Sequence, residues 1–312
     1  MARVLAIGAY SDEDRVALQG DLGARTLAGL DGISALPVSE RQEIEAMAYK
    51  GHAALNGAVM DLLPKLRLIA NFGVGYDAID VADATARGIR VTNTPDVLND
   101  DVADLAVALL IAESRRMAAA DAWTRAGNWA AGREFPLARK MSGRKVGVLG
   151  LGRIGREIAD RLAAFKAEIH YFARSEKPTP GWIWHANPVA LARAVDDLVI
   201  AVVGGPETAG LVSAEVIAAL GPDGILVNIS RGSVVDEAAL LDALENGTIR
   251  GAGLDVFRDE PRIDPRFLTL ANVTLLPHVG SATVETRAAM GALQRQNILA
   301  LLGDEPLLTP VN

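Results

Sequence analysis

The stretch KVGVLGLGRIGREIADRLAAF, Lys145 to Phe165, decides how the rest of the chain is read. Its first residues form a short apolar run and its last ones repeat apolar side chains at helical spacing, so a strand feeds a helix through a glycine-rich turn. The turn is Gly150-Leu151-Gly152-Arg153-Ile154-Gly155. Lacking a Cβ, Gly150 suits a tight bend, Gly152 lets a pyrophosphate approach the backbone, and Gly155 lets the helix pack closely on the strand. The first amides of such a helix have no intrahelical acceptor and bind phosphate. A glycine pattern in this strand-turn-helix context predicts a dinucleotide site made by these six residues.

Working outward, the series KVGVLG, EIHYFAR, DLVIAVV, GILVNIS, GAGLDV and VTLLP, with helical stretches between most of them, predicts about six parallel strands. Before it, Arg3 to Ile7, Leu66 to Asn71 and Ile89 to Thr92 read as strands, and Glu40 to Tyr49 and Ala54 to Leu63 as helices, of a smaller doubly wound unit. From Asp100 to Met117 a stretch acidic at its start and Arg-rich at its end reads as a long connecting helix. Trp123 to Met141 fits neither period and reads as an exposed arm or interface segment, and Val284 to Leu302 as a last helix. The fold class is α/β.

An NAD site ordinarily places an acid at the end of the second strand to accept from the ribose 2′-hydroxyl. Here EIHYF runs into Ala173, Arg174 and Ser175, with Lys177 just beyond. Guanidinium and hydroxyl donors suit a 2′-phosphate, so the cofactor is expected to be NADP, with NADPH preferred over NADH.

Composition excludes several other chemistries. No cysteine is present, so there is neither a disulfide framework nor a thiolate nucleophile or metal site. The four histidines, His52, His170, His185 and His278, are too far apart for helical zinc motifs, and no metal is expected. A net charge of −8 without a basic stripe argues against nucleic acid. Apolar runs such as Leu105 to Ala112 are too short to span a membrane, and MARVLAIGAY followed by SDED reads as a strand entering a helix rather than a signal peptide; a cytoplasmic protein is expected.

Reduction of a 2-oxo acid needs a cation for its carboxylate and a proton donor for the developing alkoxide. Candidates stand at or just beyond the ends of predicted parallel strands, where open α/β sheets bind ligands: Arg231 after GILVNIS, Asp255 and Glu260 in GAGLDVFRDEP, and His278 after VTLLP. His52, His170 and His185 match no motif and read as structural.

Through NFGVGYDAID, NTPDVLNDDVADLAVALL, VGVLGLGRIG, VNISRGSVVDEAALLDAL, LDVFRDEP and LLPHVGSAT, the chain resembles the D-isomer-specific 2-hydroxyacid dehydrogenase family along nearly its whole length. Within the family, IHYFARSEKP and VETRAAM with PLLTPV are most similar to NADPH-dependent glyoxylate/hydroxypyruvate reductases and plant-type hydroxyphenylpyruvate reductases. The resemblance implies that Arg231 grips the substrate carboxylate, that His278 protonates the alkoxide, and that Glu260 holds the imidazole. It implies that amides of Val74 and Gly75 also bind the carboxylate, that Asp255 faces the nicotinamide carboxamide, and that Thr208 lies near the phosphates. Ile229 and Gly280 complete the expected cofactor contacts.

It further implies a flavodoxin-like substrate domain from residues 1–98 and 285–312, a Rossmann cofactor domain over 99–284, an interdomain cleft and a homodimer. Trp129 then either reaches a neighbour's pocket or anchors the interface. One departure is Asp96, where many members have Gly between Pro and Val; its carboxylate either disfavours anionic tails or faces solvent. The implied activity is hydride transfer from NADPH to C2 of glyoxylate, hydroxypyruvate or a similar small 2-oxo acid, giving the D-2-hydroxy acid. Alternatives are a bulkier acid such as hydroxyphenylpyruvate or 2-ketogluconate, and a nucleotide-sensing corepressor.

Overall fold

In the computed structural model, which describes residues 2–312, the chain divides into two compact units, Met1–Leu98 with Ala282–Asn312, and Asn99–Ser281. The first holds five parallel strands: β1 Val4–Gly8, β2 Arg25–Leu27, β3 Ala46–Lys50, β4 Leu68–Asn71 and β5 Arg90–Thr92. Their order is β2-β1-β3-β4-β5, so the winding direction reverses between β1 and β3. Every residue of β4, and every one of β3 but the last, is buried, as expected of a parallel sheet covered on both faces.

The helix Val284–Leu302 belongs to this unit and starts where its apolar period begins, with the Thr283 side chain accepting from the amide of Thr286. Gln294, 1% exposed, ties it to the sheet by donating to the carbonyl of Ala70 at 2.7 Å and the hydroxyl of Tyr10 at 3.1 Å. Asn297 accepts from the amides of Leu308 and Thr309 and so folds the C-terminal tail back beside β5, where the Val311 amide donates to Val91.

Two expectations for this unit need correction. Glu40–Tyr49 is not a helix: a single turn, Val38–Arg41, gives way to β3. The sequence AMAYK has no polar alternation because both faces of β3 are covered, and Ala and Met are good helix formers, so local preference yields to tertiary burial. Ala54–Leu63 contains only the short helix Gly57–Met60. Its first amide is satisfied from outside, by Asp83 Oδ2 at 2.7 Å.

The second unit carries seven parallel strands rather than about six: β6 Lys145–Leu149, β7 Glu168–Phe172, β8 Ile183–His185, β9 Asp197–Ile200, β10 Ile225–Asn228, β11 Gly251–Leu254 and β12 Val273–Leu275. Strand β8 is the one not read from sequence; it is three residues long and at the sheet edge. The order β12-β11-β10-β9-β6-β7-β8 is the Rossmann arrangement with one strand added, and its winding reverses between β6 and β9. Asn99–Arg115 forms the long helix, which ends where Arg116 turns left-handed (φ 52) before a second helix, Met117–Arg125. Residues 126–141 are turns and irregular chain, and Trp129 and Leu137 are 73% and 96% exposed. Among the described residues no helix is long and apolar enough to cross a membrane.

A buried ion pair anchors the amino end of the central strand β9. Asp197, fully buried at the start of β9, accepts both Nε and Nη2 of Arg144 at 2.6 and 2.8 Å. Burial raises the Asp197 pKa from its ordinary value while the guanidinium opposes that rise.

Candidate active site

The turn after β6 meets the three demands read from its glycines. Gly150 is left-handed (φ +105), and a Cβ there would stand 2.7 Å from the Val202 amide nitrogen, in the loop after β9. A Cβ on Gly155 would stand 1.9 Å from the Gly150 carbonyl oxygen, so helix Arg153–Ala164 can lie against the turn only without one. At Gly152 a Cβ would meet nothing within 4 Å. That open face adjoins the start of a helix for which no side chain caps the free amides. Space and donors together fit a dinucleotide pyrophosphate. Leu151 is buried beneath the turn, Ile154 is half-buried and Arg153 is exposed.

Beyond β7, Arg174, Ser175 and Lys177 are all exposed. Their loop is pinned from below: Tyr171 Oη donates to the Lys177 carbonyl at 3.1 Å and accepts from its amide at 2.8 Å, and Trp184 Nε1 donates to the Ala173 carbonyl at 3.1 Å. Arg156 adds support from the helix, over the Trp182 ring at 5.2 Å. Thr208 donates to the Val203 carbonyl at 2.7 Å and closes the loop after β9.

At the end of β10, Asn228 organises the next turn. Its amide donates to the Arg231 carbonyl and its oxygen accepts from the Ser230 amide, both at 3.0 Å. Ile229 is 9% exposed, and Ser230 Oγ donates to Val202. The stem of Arg231 lies over Gly204, where a Cβ would meet Arg231 Cγ at 2.4 Å. Gly232 must be glycine because a Cβ would strike the Phe257 backbone at 1.9 Å. These contacts fix the guanidinium's root on the carboxyl side of the sheet.

His278 follows β12 in a left-handed conformation (φ 53), its amide bonded to the Asp255 carbonyl at 2.9 Å. Asp255, 1% exposed, accepts from the amides of Val279 at 2.7 Å and Gly280 at 2.8 Å. Burial raises its pKa from the ordinary carboxylate value, against the pull of those two amides. Both its oxygens thus hold the loop that carries His278, a role that sequence reading missed because neither amide bears a side-chain signal. Glu260 Oε2 meets His278 Nδ1 at 2.6 Å, while Oε1 accepts from the Phe257 amide at 2.9 Å. An ionised carboxylate only accepts, so Nδ1 is assigned the proton and Nε2 is the nitrogen that exchanges one with a ligand.

In the first unit, Val74 and Gly75 lie in the loop after β4. Asn71 Nδ2 donates to the carbonyls of Gly73 (3.1 Å) and Gly75 (2.9 Å), and Asn93 Nδ2 to that of Val74 (2.9 Å). Asp96 is exposed and left-handed (φ 69). His170 and His185, unread by any motif, stack and hydrogen-bond at 2.9 Å across β7 and β8, with Glu168 on the far nitrogen of His170.

A cradle for pyrophosphate and an imidazole poised on a carboxylate, at the ends of strands of one sheet, are what an enzyme needs to move a hydride and a proton separately. The chain is an oxidoreductase of the dinucleotide-binding class. Residues 107–280 match the profile described as "D-isomer specific 2-hydroxyacid dehydrogenase, NAD binding domain". A hydroxyphenylpyruvate reductase of Plectranthus scutellarioides is 47% identical over 272 residues, 87% of each chain. A 2-ketogluconate reductase of Gluconobacter oxydans is 46% identical over 86% of each chain. Among solved structures, an NADPH-dependent glyoxylate/hydroxypyruvate reductase of Sinorhizobium meliloti, in complex with NADP and malonate, superposes with a TM-score of 0.93 at 42% identity, covering 100% of this chain and 97% of that one. The chain belongs to the D-isomer-specific 2-hydroxyacid dehydrogenase family, whose reaction interconverts 2-oxo and 2-hydroxy acids.

Proposed function

We propose that the protein is an NADPH-preferring reductase of small 2-oxo acids, glyoxylate and hydroxypyruvate foremost, forming the D-2-hydroxy acid. The observation that carries this reading is the 2.6 Å contact between His278 Nδ1 and Glu260 Oε2, which leaves a nitrogen for the substrate's proton. NADPH, when bound, supplies the hydride. The turn from Gly150 to Gly155 would hold its pyrophosphate, Arg174 and Ser175 its 2′-phosphate, and Thr208, Ile229, Asp255 and Gly280 its remaining polar groups. Arg231 grips the substrate carboxylate with a planar fork, and in the first unit the amides of Val74 and Gly75 are the expected carboxylate donors. Protonated His278 then delivers its Nε2 proton to the alkoxide oxygen, while Glu260 stabilises the imidazolium beforehand.

On the same reading the first unit serves the substrate and the second the cofactor. The enzyme works in the cytoplasm as a homodimer, with the exposed Trp129 segment meeting the partner. Initial rates of NADPH and NADH oxidation with glyoxylate, hydroxypyruvate, phenylpyruvate and 2-ketogluconate test the proposal. Faster turnover of the small acids with NADPH supports it; preference for NADH refutes the role given to Arg174 and Ser175, and preference for the bulky acids refutes the substrate class.

A further inference from the structure

Small residues open a cavity in the Asn99–Ser281 unit, at the end of its sheet opposite to His278. Gly253 of β11 lets the long helix Asn99–Arg115 lie close to the sheet, since a Cβ there would stand 3.0 Å from that of Leu109. Where that helix ends, Ala118, Ala119 and Ala271 leave space beside the amino ends of β11 and β12. The cavity measures about 300 Å³, at the lower end of the range for small-molecule sites. From here β11 runs on to Asp255 and β12 towards His278, so a ligand at this end leaves the carboxyl ends of both strands clear.

Three charged side chains line the cavity: Glu113, Arg116 and Arg250. Glu113 is 9% exposed, and its Oε1 accepts from Thr274 Oγ1. Burial raises its pKa from the ordinary value, while the Thr274 hydroxyl and then Arg116 and Arg250 oppose that rise. Among the described residues neither guanidinium forms a salt bridge, so one carboxylate faces two cations and a surplus positive charge remains. The Arg116 guanidinium lies 5.4 Å from the centroid of the Phe135 ring, which covers a face, whereas its hydrogen bonds are made in the plane. Arg250 is fixed at its root: its amide donates to the Gly224 carbonyl at 2.8 Å, and its carbonyl accepts from Asn272 Nδ2 at 3.3 Å.

Arg116 also immediately precedes the helix Met117–Arg125, whose first amides no side chain caps and whose first turn contributes Ala118 and Ala119 to the wall. Free amides at a helix start favour an anion. The long helix points its negative end the same way, but its Glu113 and Ser114 carbonyls are already bonded to the amides of Arg116 and Arg139, at 3.1 and 3.0 Å.

We propose that this cavity is a second ligand site, which takes a small anion whose phosphate or carboxylate group is held by Arg116 and Arg250. A guanidinium pairs bidentately with either group. Val273 and Ala271 offer an apolar wall to a short carbon skeleton attached to it. Glu113 tempers the affinity by offsetting one of the two positive charges. None of these residues serves the reaction proposed above.

Calorimetric titration of the NADPH-saturated protein with inorganic phosphate, and separately with succinate, tests the site. Wild type should bind at least one of the two anions with a Kd of about 1 mM or tighter, and the tighter of the two identifies the group. Arg116→Gln and Arg250→Gln should each weaken that binding at least about tenfold. Glu113→Gln should tighten it by about three- to tenfold, because a carboxamide keeps the Thr274 contact and loses the opposing charge. NADPH affinity within about threefold of wild type confirms that the variants fold. No binding of either anion, arginine variants that bind as wild type does, or weaker binding in Glu113→Gln overturns the inference. The reductase reading is untouched by those outcomes; it fails instead if wild type reduces no 2-oxo acid.

Discussion

Replacing Glu260 by Gln tests the proton-handling pair most directly. The carboxylate serves two donors at once, His278 Nδ1 at 2.6 Å and the Phe257 amide at 2.9 Å. A carboxamide cannot serve both: with its oxygen toward Phe257 its NH2 faces Nδ1, and with its oxygen toward His278 its NH2 faces the Phe257 amide. In the first arrangement Nδ1 must be a bare acceptor, so the ring carries only the Nε2 proton and cannot give it up without becoming an imidazolate. In the second, a backbone donor is left facing another donor. Either way the charge-assisted bond to the imidazolium is lost, at about 1.5–3 kcal/mol, or roughly 10- to 150-fold in rate. The pair is partly exposed, His278 at 32% and Glu260 at 22%, which places the expectation toward the lower half of that range. Single-turnover reduction of glyoxylate reports the chemical step, and NADPH binding followed by fluorescence should be unchanged. A single-turnover rate within about threefold of wild type would refute the assignment of Glu260 to His278.

The glycine turn makes a paired prediction. Gly152→Ala places a methyl in open space and should leave Tm unchanged while weakening NADPH binding at least about tenfold, whereas Gly155→Ala, with its Cβ 1.9 Å from a carbonyl oxygen, should lower Tm; equal effects in the two variants would contradict the geometry. Asp255→Asn loses one of two amide contacts to the His278 loop, so kcat should fall about tenfold or more with Tm reduced by a few degrees; a wild-type kcat would show that the loop holds without it. Arg144→Ala strands a buried carboxylate and should cost about 3–5 kcal/mol in urea unfolding, while Arg144→Met with Asp197→Leu should recover most of that; a double variant no better than the single one would sink the argument. Glu45 is held below the usual carboxylate range by the Arg3 hydrogen bonds, so its contribution is present above the ordinary value of about 4.3 and lost as pH falls through the depressed one. Arg3→Ala should accordingly cost under about 1 kcal/mol at neutral pH, a difference that closes in acid titrations of Tm below about pH 4 and would be inexplicable if it grew there.

Which parts of this molecule are legible in its sequence follows from where their constraints reside. The helix Val284–Leu302 can be read to its ends because a capping threonine and an apolar period are both local. The turn from Gly150 to Gly155 is legible for a similar reason: within six residues two close approaches, at Gly150 and Gly155, exclude a side chain and one glycine, Gly152, leaves space for a ligand. Strand β3 is opaque because its environment is supplied from elsewhere in the chain: β1 and β4 flank it, the helix Val284–Leu302 packs on it, and burial of both faces erases the alternation that marks a strand. Short edge strands such as β2 and β8 offer three residues each, too few to show a period.

The site divides in the same way. His278 and Glu260 stand out as ionisable residues at the ends of apolar strands, and the structure brings them within hydrogen-bonding distance. What Asp255 does cannot be read from its own segment, since its partners are backbone amides 24 and 25 residues away. Lys50 is hidden more deeply still. In sequence it is one lysine after an apolar run, and its setting exists only once β1 and β4 deliver Tyr10 and Phe72 to either side of it. Burial already disfavours its charge. Lys50→Met should therefore not lower Tm, and a loss of several degrees would mean that the ammonium is needed to hold the two rings.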